Sequence, residues 1–181
     1  EPNKSISQPS ILDKRAQLQL SQWNDTAQTY ALNTTLPAMI SQIMQQVPNQ
    51  IALRQGTLTM TYAQLEVITT RIACYLQHQD VGRGDHVGIY TERHPFFIVG
   101  LLGVLKAGAT YVPIEISSTE ERIATIAEDA QLAYILTMEA LQPRCAAVKS
   151  QQLLLDNCMQ QHWLNSYTDY HTVSLEGKDI A

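Results

Sequence analysis

The chain contains 181 residues, of which 45% are hydrophobic and 16% are charged. This length suits one domain, and the hydrophobic content suffices for a buried core, so a chain that is disordered throughout is excluded. Seventeen acidic and twelve basic residues give a net charge of −5, and the basic residues form no block. Because proteins that bind nucleic acid concentrate basic residues against the phosphates, this charge pattern disfavours that class of function.

The three cysteines, Cys74, Cys145 and Cys158, are odd in number and share no CxxC spacing. This pattern argues against a disulfide framework and a zinc site, and Cys74, which lies in an apolar helical stripe, is expected to be a small buried hydrophobe. The first residues resemble no signal segment, and the longest apolar run, at residues 95–105, is shorter than the roughly 20 residues that span a bilayer. These features predict a cytoplasmic protein.

Residues 1–20 contain several Pro and Ser residues and few apolar ones, which predicts a linker that precedes a domain over residues 21–181. The first strong periodicity in the domain lies at residues 36–47, where apolar residues recur at helical spacing. Two alternating runs then flank Gln55-Gly56-Thr57 and predict a β-hairpin.

Two further helices have recognisable ends. Thr61-Tyr-Ala-Gln64 matches a capping box, in which each of the two outer side chains accepts a hydrogen bond from the backbone amide of the other. The helix over residues 95–105 is apolar nearly all round, which is typical of a helix that is buried between layers. Gly108 is predicted to end this helix in the left-handed conformation.

Short apolar or alternating runs predict strands at residues 86–90, 110–114, 132–137 and 153–156. Thr119 is predicted to begin another helix between the second and third of them. Strands that alternate with helices imply βαβ units and a parallel sheet. The sequence therefore predicts an α/β fold, with a mostly parallel sheet, flanking helices and the β-hairpin. No helix or strand is predicted for residues 157–181.

The segment Gly82-Arg-Gly84-Asp-His-Val-Gly88 has the spacing GxGxxxG, but it precedes a strand. A phosphate-binding loop instead places its backbone N–H groups at a helix N-terminus, so we interpret this segment as a plain turn. The sequence contains no P-loop, no GxSxG motif and no pair of histidines at metal-binding spacing. Glu115, Glu120 and Glu121 could imitate a catalytic carboxylate cluster, but helix N-terminal charges explain two of them. No catalytic, cofactor-binding or metal-binding residue is predicted.

Two segments together form a family signature. Residues 58–65, LTMTYAQL, resemble the first core motif of nonribosomal peptide synthetase adenylation domains, (T/S)YxEL, and residues 105–115, LKAGATYVPIE, resemble their second, LKAGxAYxPxD. WNDT at residues 23–26, VGRGDHVGI at residues 81–89 and Glu92-Arg93 fit the same family, so the resemblance covers the whole predicted domain. The residues at motif positions, all expected to be structural, are Thr61, Tyr62, Gln64, Leu65, Lys106, Ala107, Gly108, Tyr111 and Pro113. Gln64 stands where the family has Glu, but it keeps the capping chemistry.

The resemblance implies an incomplete N-terminal subdomain of an adenylate-forming enzyme. Such enzymes activate an amino acid with ATP and Mg²⁺, release pyrophosphate and transfer the acyl group to the phosphopantetheine thiol of a carrier protein. In the family a phosphate-binding loop, TSGSTGxPKG, comes later in the chain, and this sequence reaches Ala181 where the preceding strand is expected to begin. The 181-residue chain alone is therefore expected to be inactive and to hold no cofactor of its own.

The sequence departs from the family after the second motif. Glu115 stands where relatives have Asp, residues 116–119 lack two prolines and a tyrosine, and Glu120 stands where relatives have a small residue. In relatives this surface binds small MbtH-like activator proteins, so such a complex is doubtful for this chain. The expected partners are neighbouring synthetase domains: a condensation domain, the remainder of the adenylation domain and a carrier protein. The apolar helix at residues 95–105 also predicts possible self-association.

Three interpretations follow from the resemblance. The chain could be a cut piece of an active domain, a domain interrupted by an inserted module, or a natural remnant that serves as a scaffold between modules. The altered residues 116–119 slightly favour the non-catalytic remnant. An unrelated flavodoxin-like or nucleotide-binding α/β domain is a further alternative, which would bind its ligand at the carboxyl ends of the strands.

Overall fold

A computed structural model describes residues 12–28, 34–156, 158 and 169–173, and it divides the chain into two units, Glu1–Leu32 and Asn33–Ala181. In the first unit, helix α1 spans Lys14–Asn24 and none of its residues is buried. Asp13 caps this helix, because its Oδ1 accepts a hydrogen bond of 2.7 Å from the amide of Ala16. Helix α1 differs from the prediction, which places a linker at residues 1–20. The domain boundary after residue 20 stays a prediction.

The second unit contains a hairpin, a parallel sheet and four α-helices among its described residues. In chain order the elements are α2 (Leu36–Gln46), β1 (Ile51–Gln55), β2 (Leu58–Thr61), α3 (Tyr62–His78), β3 (His86–Tyr90), α4 (Pro95–Ala107), β4 (Thr110–Pro113), α5 (Glu120–Asp129), β5 (Leu132–Thr137), a 3₁₀ helix (Glu139–Cys145) and β6 (Gln151–Leu154). Strands β1 and β2 form the predicted antiparallel hairpin, and Gly56 in its turn has a φ of +56°.

The parallel sheet has the strand order β4-β3-β5-β6. Strand β3 comes first in the chain, β4 pairs on one side of it and β5 on the other, all in parallel. The predicted α/β fold is therefore confirmed. Two details differ from the prediction. Strand β6 ends at Leu154, because the chain turns at residues 155–156, and the 3₁₀ helix, which contains Pro143, was not predicted. Within the described residues, no helix combines the length and the apolarity that are needed to cross a bilayer.

Side chains from alternate positions of the sheet enter two hydrophobic clusters. Val87 and Leu136 pack with residues of α3 and α4, whereas Tyr90 and Ile135 pack with Ile123 of α5. Helix α4 therefore lies between the sheet and α3, as its apolar surface predicts. Between residues 99 and 107 every residue of α4 is buried except one, which is partly exposed.

Helices α3 and α4 approach most closely at Gly103. A Cβ atom added to Gly103 would lie 2.5 Å from Cγ2 and 2.8 Å from Cβ of Ile72, which is fully buried in α3. Because both atoms belong to the branched base of the isoleucine, rotation of its side chain cannot make room. Gly103 therefore sets the distance between the two helices.

We expect Gly103→Ala to lower the free energy of unfolding by about 1–3 kcal/mol more than Gly100→Ala does, because the added methyl group overpacks the helix interface. Gly100→Ala is the matched control in the same helix: both variants gain the same helix propensity of about 1 kcal/mol. At Gly100 the nearest atom is a flexible Leu155 methyl group at 3.1 Å. Urea denaturation measures the difference, and equal midpoints for the two variants would contradict the packing argument.

Candidate functional site

The first motif forms the hairpin end and the N-terminus of α3. The amide of Gln64 donates to Oγ1 of Thr61 at 3.3 Å, and the amide of Thr61 donates to Oε1 of Gln64 at 2.9 Å. The predicted capping box is therefore confirmed. Leu65 is buried in the core, and Tyr62 is partly buried against it. These four motif residues fix where the helix begins and which of its faces points inward.

The second motif ends α4 and leads into strand β4. Gly108 has a φ of +88°, its amide bonds to the carbonyl of Leu105, and the amide of Ala109 bonds to the carbonyl of Val104. This pair of bonds is a Schellman motif, so the predicted left-handed helix end is confirmed. Ala107 is fully buried. Tyr111 and Pro113 lie in β4, which is an edge strand of the sheet and can therefore accommodate a proline.

An ion pair joins the two motifs. Nζ of Lys106 lies 2.7 Å from Oε2 of Glu66, the residue that follows Leu65, and it also donates to Oγ1 of Thr70 at 3.1 Å. The Lys106 side chain is 3% exposed and that of Glu66 is 32% exposed. Burial lowers the pKa of the Lys106 amine, while Glu66 acts in the opposite direction. The amine is thus a structural contact between α4 and α3.

Sequence reasoning singled out Lys106 as a motif residue but did not find its partner. Glu66 and Thr70 are four residues apart on α3, so they share one face of that helix. The available signal was a carboxylate and a hydroxyl four residues apart on α3, together with the single charged residue of the apolar helix α4. Which helix would supply the partner depends on tertiary packing, which the sequence pattern does not state.

The GxGxxxG segment forms the predicted turn before β3. The amide of Gly82 donates to Oδ2 of Asp85 at 2.8 Å, and Gly84 has a φ of +95°. Residues 83–84 form a hydrogen-bonded turn, in which the amide of Asp85 donates to the carbonyl of Gly82 at 3.1 Å, as the interpretation of the GxGxxxG segment as a plain turn predicted. Glu120 and Glu121 lie in the first turn of α5, as their interpretation as helix N-terminal charges predicted.

Other reactive side chains in the described residues are held in structural roles. All three cysteines are buried, and burial raises the pKa of each thiol, to about 12 for Cys158. Because the thiolate is the reactive form, these thiols are poor nucleophiles. The Nδ1 atom of His94 accepts a hydrogen bond from the amide of Phe96 and so caps α4. Across the described ranges, no group of three or more His, Cys, Asp or Glu residues could hold a metal ion.

A groove of about 750 Å³ opens at the carboxyl ends of β3 and β4. The hairpin, the β3–α4 loop, the first turn of α4 and the start of the β4–α5 connection line it. The carboxyl ends of parallel strands are where α/β proteins usually bind ligands. Here, however, Nε2 of Gln55 donates to the carbonyl of Arg93 at 2.8 Å, which ties the hairpin to the loop. Both apolar residues, such as Leu53, Phe97 and Ile114, and charged residues, such as Arg54 and Glu92, line the groove.

The β4–α5 connection, where the sequence departs from the family motif, is supported by Arg144. One guanidinium nitrogen donates to the carbonyl of Ile116 at 2.9 Å and the other to the carbonyl of Ser118 at 2.7 Å. The guanidinium carbon also lies 5.7 Å from the ring centroid of Tyr90. Hydrogen bonds to an arginine of the 3₁₀ helix thus fix a connection that lacks the prolines of the family pattern.

Known proteins resemble this chain in sequence and in fold. The sequence model of the family described as "AMP-binding enzyme" matches residues 40–175. The chain belongs to this family. One of the linear gramicidin synthase proteins of Brevibacillus parabrevis is 35% identical over 155 residues, which are 85% of this chain and 3% of that protein. Tyrocidine synthase 3 of the same organism is 36% identical over 141 residues, 78% of this chain and 2% of that protein.

Solved structures share the fold at lower sequence identity. The N-terminal subdomain of NpsA from Klebsiella oxytoca superposes with a TM-score of 0.67 at 23% identity, over 84% of this chain and 38% of that chain. A fatty acyl-adenylate ligase from L. pneumophila gives a TM-score of 0.69 at 23% identity, over 80% of this chain and 26% of that chain. The chain thus corresponds to the N-terminal part of a nonribosomal peptide synthetase adenylation domain and spans only a small share of the synthetases that it matches.

We expect Lys106→Met to lower the free energy of unfolding by about 1–3 kcal/mol, because it leaves the carboxylate of Glu66 without its partner. Water can reach part of Glu66, so the loss stays below that of a fully buried pair. The double variant Lys106→Met, Glu66→Gln should regain part of the loss, and Lys149→Met, at an exposed lysine, is the matched control. Urea denaturation measures all three, and equal effects at Lys106 and Lys149 would show that the ion pair is not a stabilising contact.

Proposed function

We propose that this chain is the N-terminal part of an adenylation domain that activates an amino acid with ATP and loads it onto a carrier protein during natural product biosynthesis. The family match over residues 40–175 supports this most directly, because it includes both motif segments. The relatives named above are peptide synthases, and they align with 78–85% of this chain. The proposal retains the cytoplasmic location that is expected from the cysteine pattern.

The residues of this chain contribute structure rather than chemistry to that function. ATP and Mg²⁺ would supply the leaving group and its charge compensation in a complete domain, but the described residues do not fit either of them. The glycine turn before β3 is satisfied by Asp85, and the described carboxylates do not cluster with other metal ligands. We therefore assign no catalytic step to these residues. Their part is to build the sheet and the α3–α4 layer on which the remainder of the domain rests.

A second candidate function is a non-catalytic scaffold between synthetase domains. The observation in its favour is that, among the described residues of the second unit, helices cover both faces of the parallel sheet and two hydrophobic clusters are buried. A segment that depended on further subdomains for its core would be expected to leave one of these faces open. In both candidate functions, condensation and carrier domains would flank this segment of the synthetase.

We expect the 181-residue chain to show neither ATP binding nor amino-acid-dependent pyrophosphate exchange, because its sequence contains no P-loop and no TSGSTGxPKG segment to gather backbone donors around a triphosphate. Titration calorimetry with ATP and Mg²⁺ tests binding, and an adenylation domain with an intact phosphate-binding loop serves as the positive control. A micromolar dissociation constant would contradict the expectation. Exchange by the complete gene product with any amino acid would support adenylation, and the absence of exchange with all of them would support the scaffold.

The neighbouring synthetase domains are the proposed partners, whereas an MbtH-like protein is not. Glu120 is exposed in the first turn of α5, next to Glu121. An interface there would bury a carboxylate without a partner, which costs several kcal/mol. We therefore expect an MbtH-like protein not to co-purify with the chain.

The variant Glu120→Ala is the matched control, because it restores the small side chain that the family resemblance implies. Retention of the MbtH-like protein by Glu120→Ala but not by the wild type would identify this carboxylate as the cause. Equimolar co-purification with the wild type would refute the expectation. Self-association of the chain stays a prediction; Ile98 of α4 is among its exposed hydrophobic residues.

A further inference from the structure

Residues 169–173, here called the strap, contact the C-terminal ends of α3 and α4. The side chain of Gln77 makes two hydrogen bonds with the backbone of His171: its Nε2 donates to the carbonyl at 2.8 Å, and its Oε1 accepts from the amide at 3.2 Å. This pairing imitates one step of a β-ladder, since it satisfies both backbone groups of one residue. Gln77 thus attaches the strap to α3.

Two further contacts attach the strap to α4. The hydroxyl of Tyr170 donates to the carbonyl of Lys106 at 3.3 Å. Val173 packs on Gly108, where an added Cβ atom would lie 2.9 Å from one valine methyl group and 3.1 Å from the other. Gly108 is therefore required twice, once for its φ of +88° and once for the space that Val173 fills.

The strap lies beside the interior residues that join the two motifs. Tyr170 lines the same cavity as Glu66 and Lys106, and burial, followed by the charge of Glu66, raises the pKa of its phenol. Burial raises the pKa of Cys74, and the charge of Asp169 adds to that effect. Cys74 is 1% exposed although Asp169 on the strap is exposed. Gln77, which holds His171, lies three residues after Cys74 on the same face of α3, so the strap is attached one helical turn from this thiol.

We propose that the strap is a separate closing element, which opens without unfolding of the core and covers the Lys106–Glu66 pair and Cys74 when it is closed. Asp169, His171 and Thr172 are exposed, so few contacts hold the segment in place. Segments with few buried contacts open at lower free energy than the core that they cover. Opening admits water to the contact between the family motifs.

Two of the three cysteines provide a direct test in the 181-residue chain. Cys74 lies one helical turn from Gln77, where the strap is attached, whereas Cys145 is fully buried in the cluster on the opposite face of the sheet. Alkylation with iodoacetamide, followed by mass spectrometry of each cysteine, reports opening at both places in one sample. We expect Gln77→Ala to accelerate alkylation of Cys74 about tenfold and to leave Cys145 unchanged, because the variant removes both hydrogen bonds to His171.

The matched control is Gln79→Ala, which changes a glutamine at the end of the same helix and should alter neither rate. A parallel rise at Cys74 and Cys145 in Gln77→Ala would mean general destabilisation and would refute a separate strap. Faster exchange of the His171 amide without faster alkylation of Cys74 would show that the strap opens but covers nothing, which would also refute the proposal.

A second measurement tests the contact between Val173 and Gly108. Gly108→Ala strains the left-handed helix end in any background, but its methyl group meets Val173 only when the strap is closed. Gly108→Ala should therefore accelerate Cys74 alkylation several-fold more in the wild-type background than in Val173→Ala. Equal factors in the two backgrounds would show that Val173 does not hold the strap on Gly108.

Discussion

Helix α4 is apolar on almost every side, and it can fold stably only where both of its sides are covered. The β-sheet covers one side and α3 covers the other, and Gly103 lets the two helices approach until Ile72 fills the space between them. Local contacts also fix the two ends of α4. His94 caps the first turn, and Gly108 turns the chain directly into β4. The parallel pairing of β3 with β4 follows, since a helix on the face of the sheet is the connection that parallel strands require.

The sequence predicts those parts of the fold whose signals are local. The capping box, the glycine in the hairpin turn and the left-handed end of α4 each depend on residues within five positions of one another. Periodicity identifies α2, α3 and α5 for the same reason. These predictions do not depend on which elements pack together.

The rest of the fold depends on contacts between distant residues. The pair Lys106–Glu66 joins positions 40 apart, and the bonds between Gln77 and His171 join positions 94 apart. The 3₁₀ helix is fixed through Arg144, which donates to carbonyls of the β4–α5 connection. Helix α1 was missed for a different reason: its polar composition resembles that of a linker, and its cap, Asp13, is a single residue. No periodic apolar face marks it, because none of its residues is buried.

The two family motifs coincide with places where tertiary contacts constrain the fold. An apolar helix between two layers gains similar burial in several rotations about its axis, because hydrophobic packing is not directional. Lys106 removes this freedom, since it is the single charged residue of α4 and only one rotation brings its amine to Glu66 and Thr70. The same rotation directs Gly103 at Ile72. The lysine and the glycine of the second motif thus act together: the charge selects the rotation of α4, and the left-handed turn at Gly108 then sets the direction in which β4 enters the sheet.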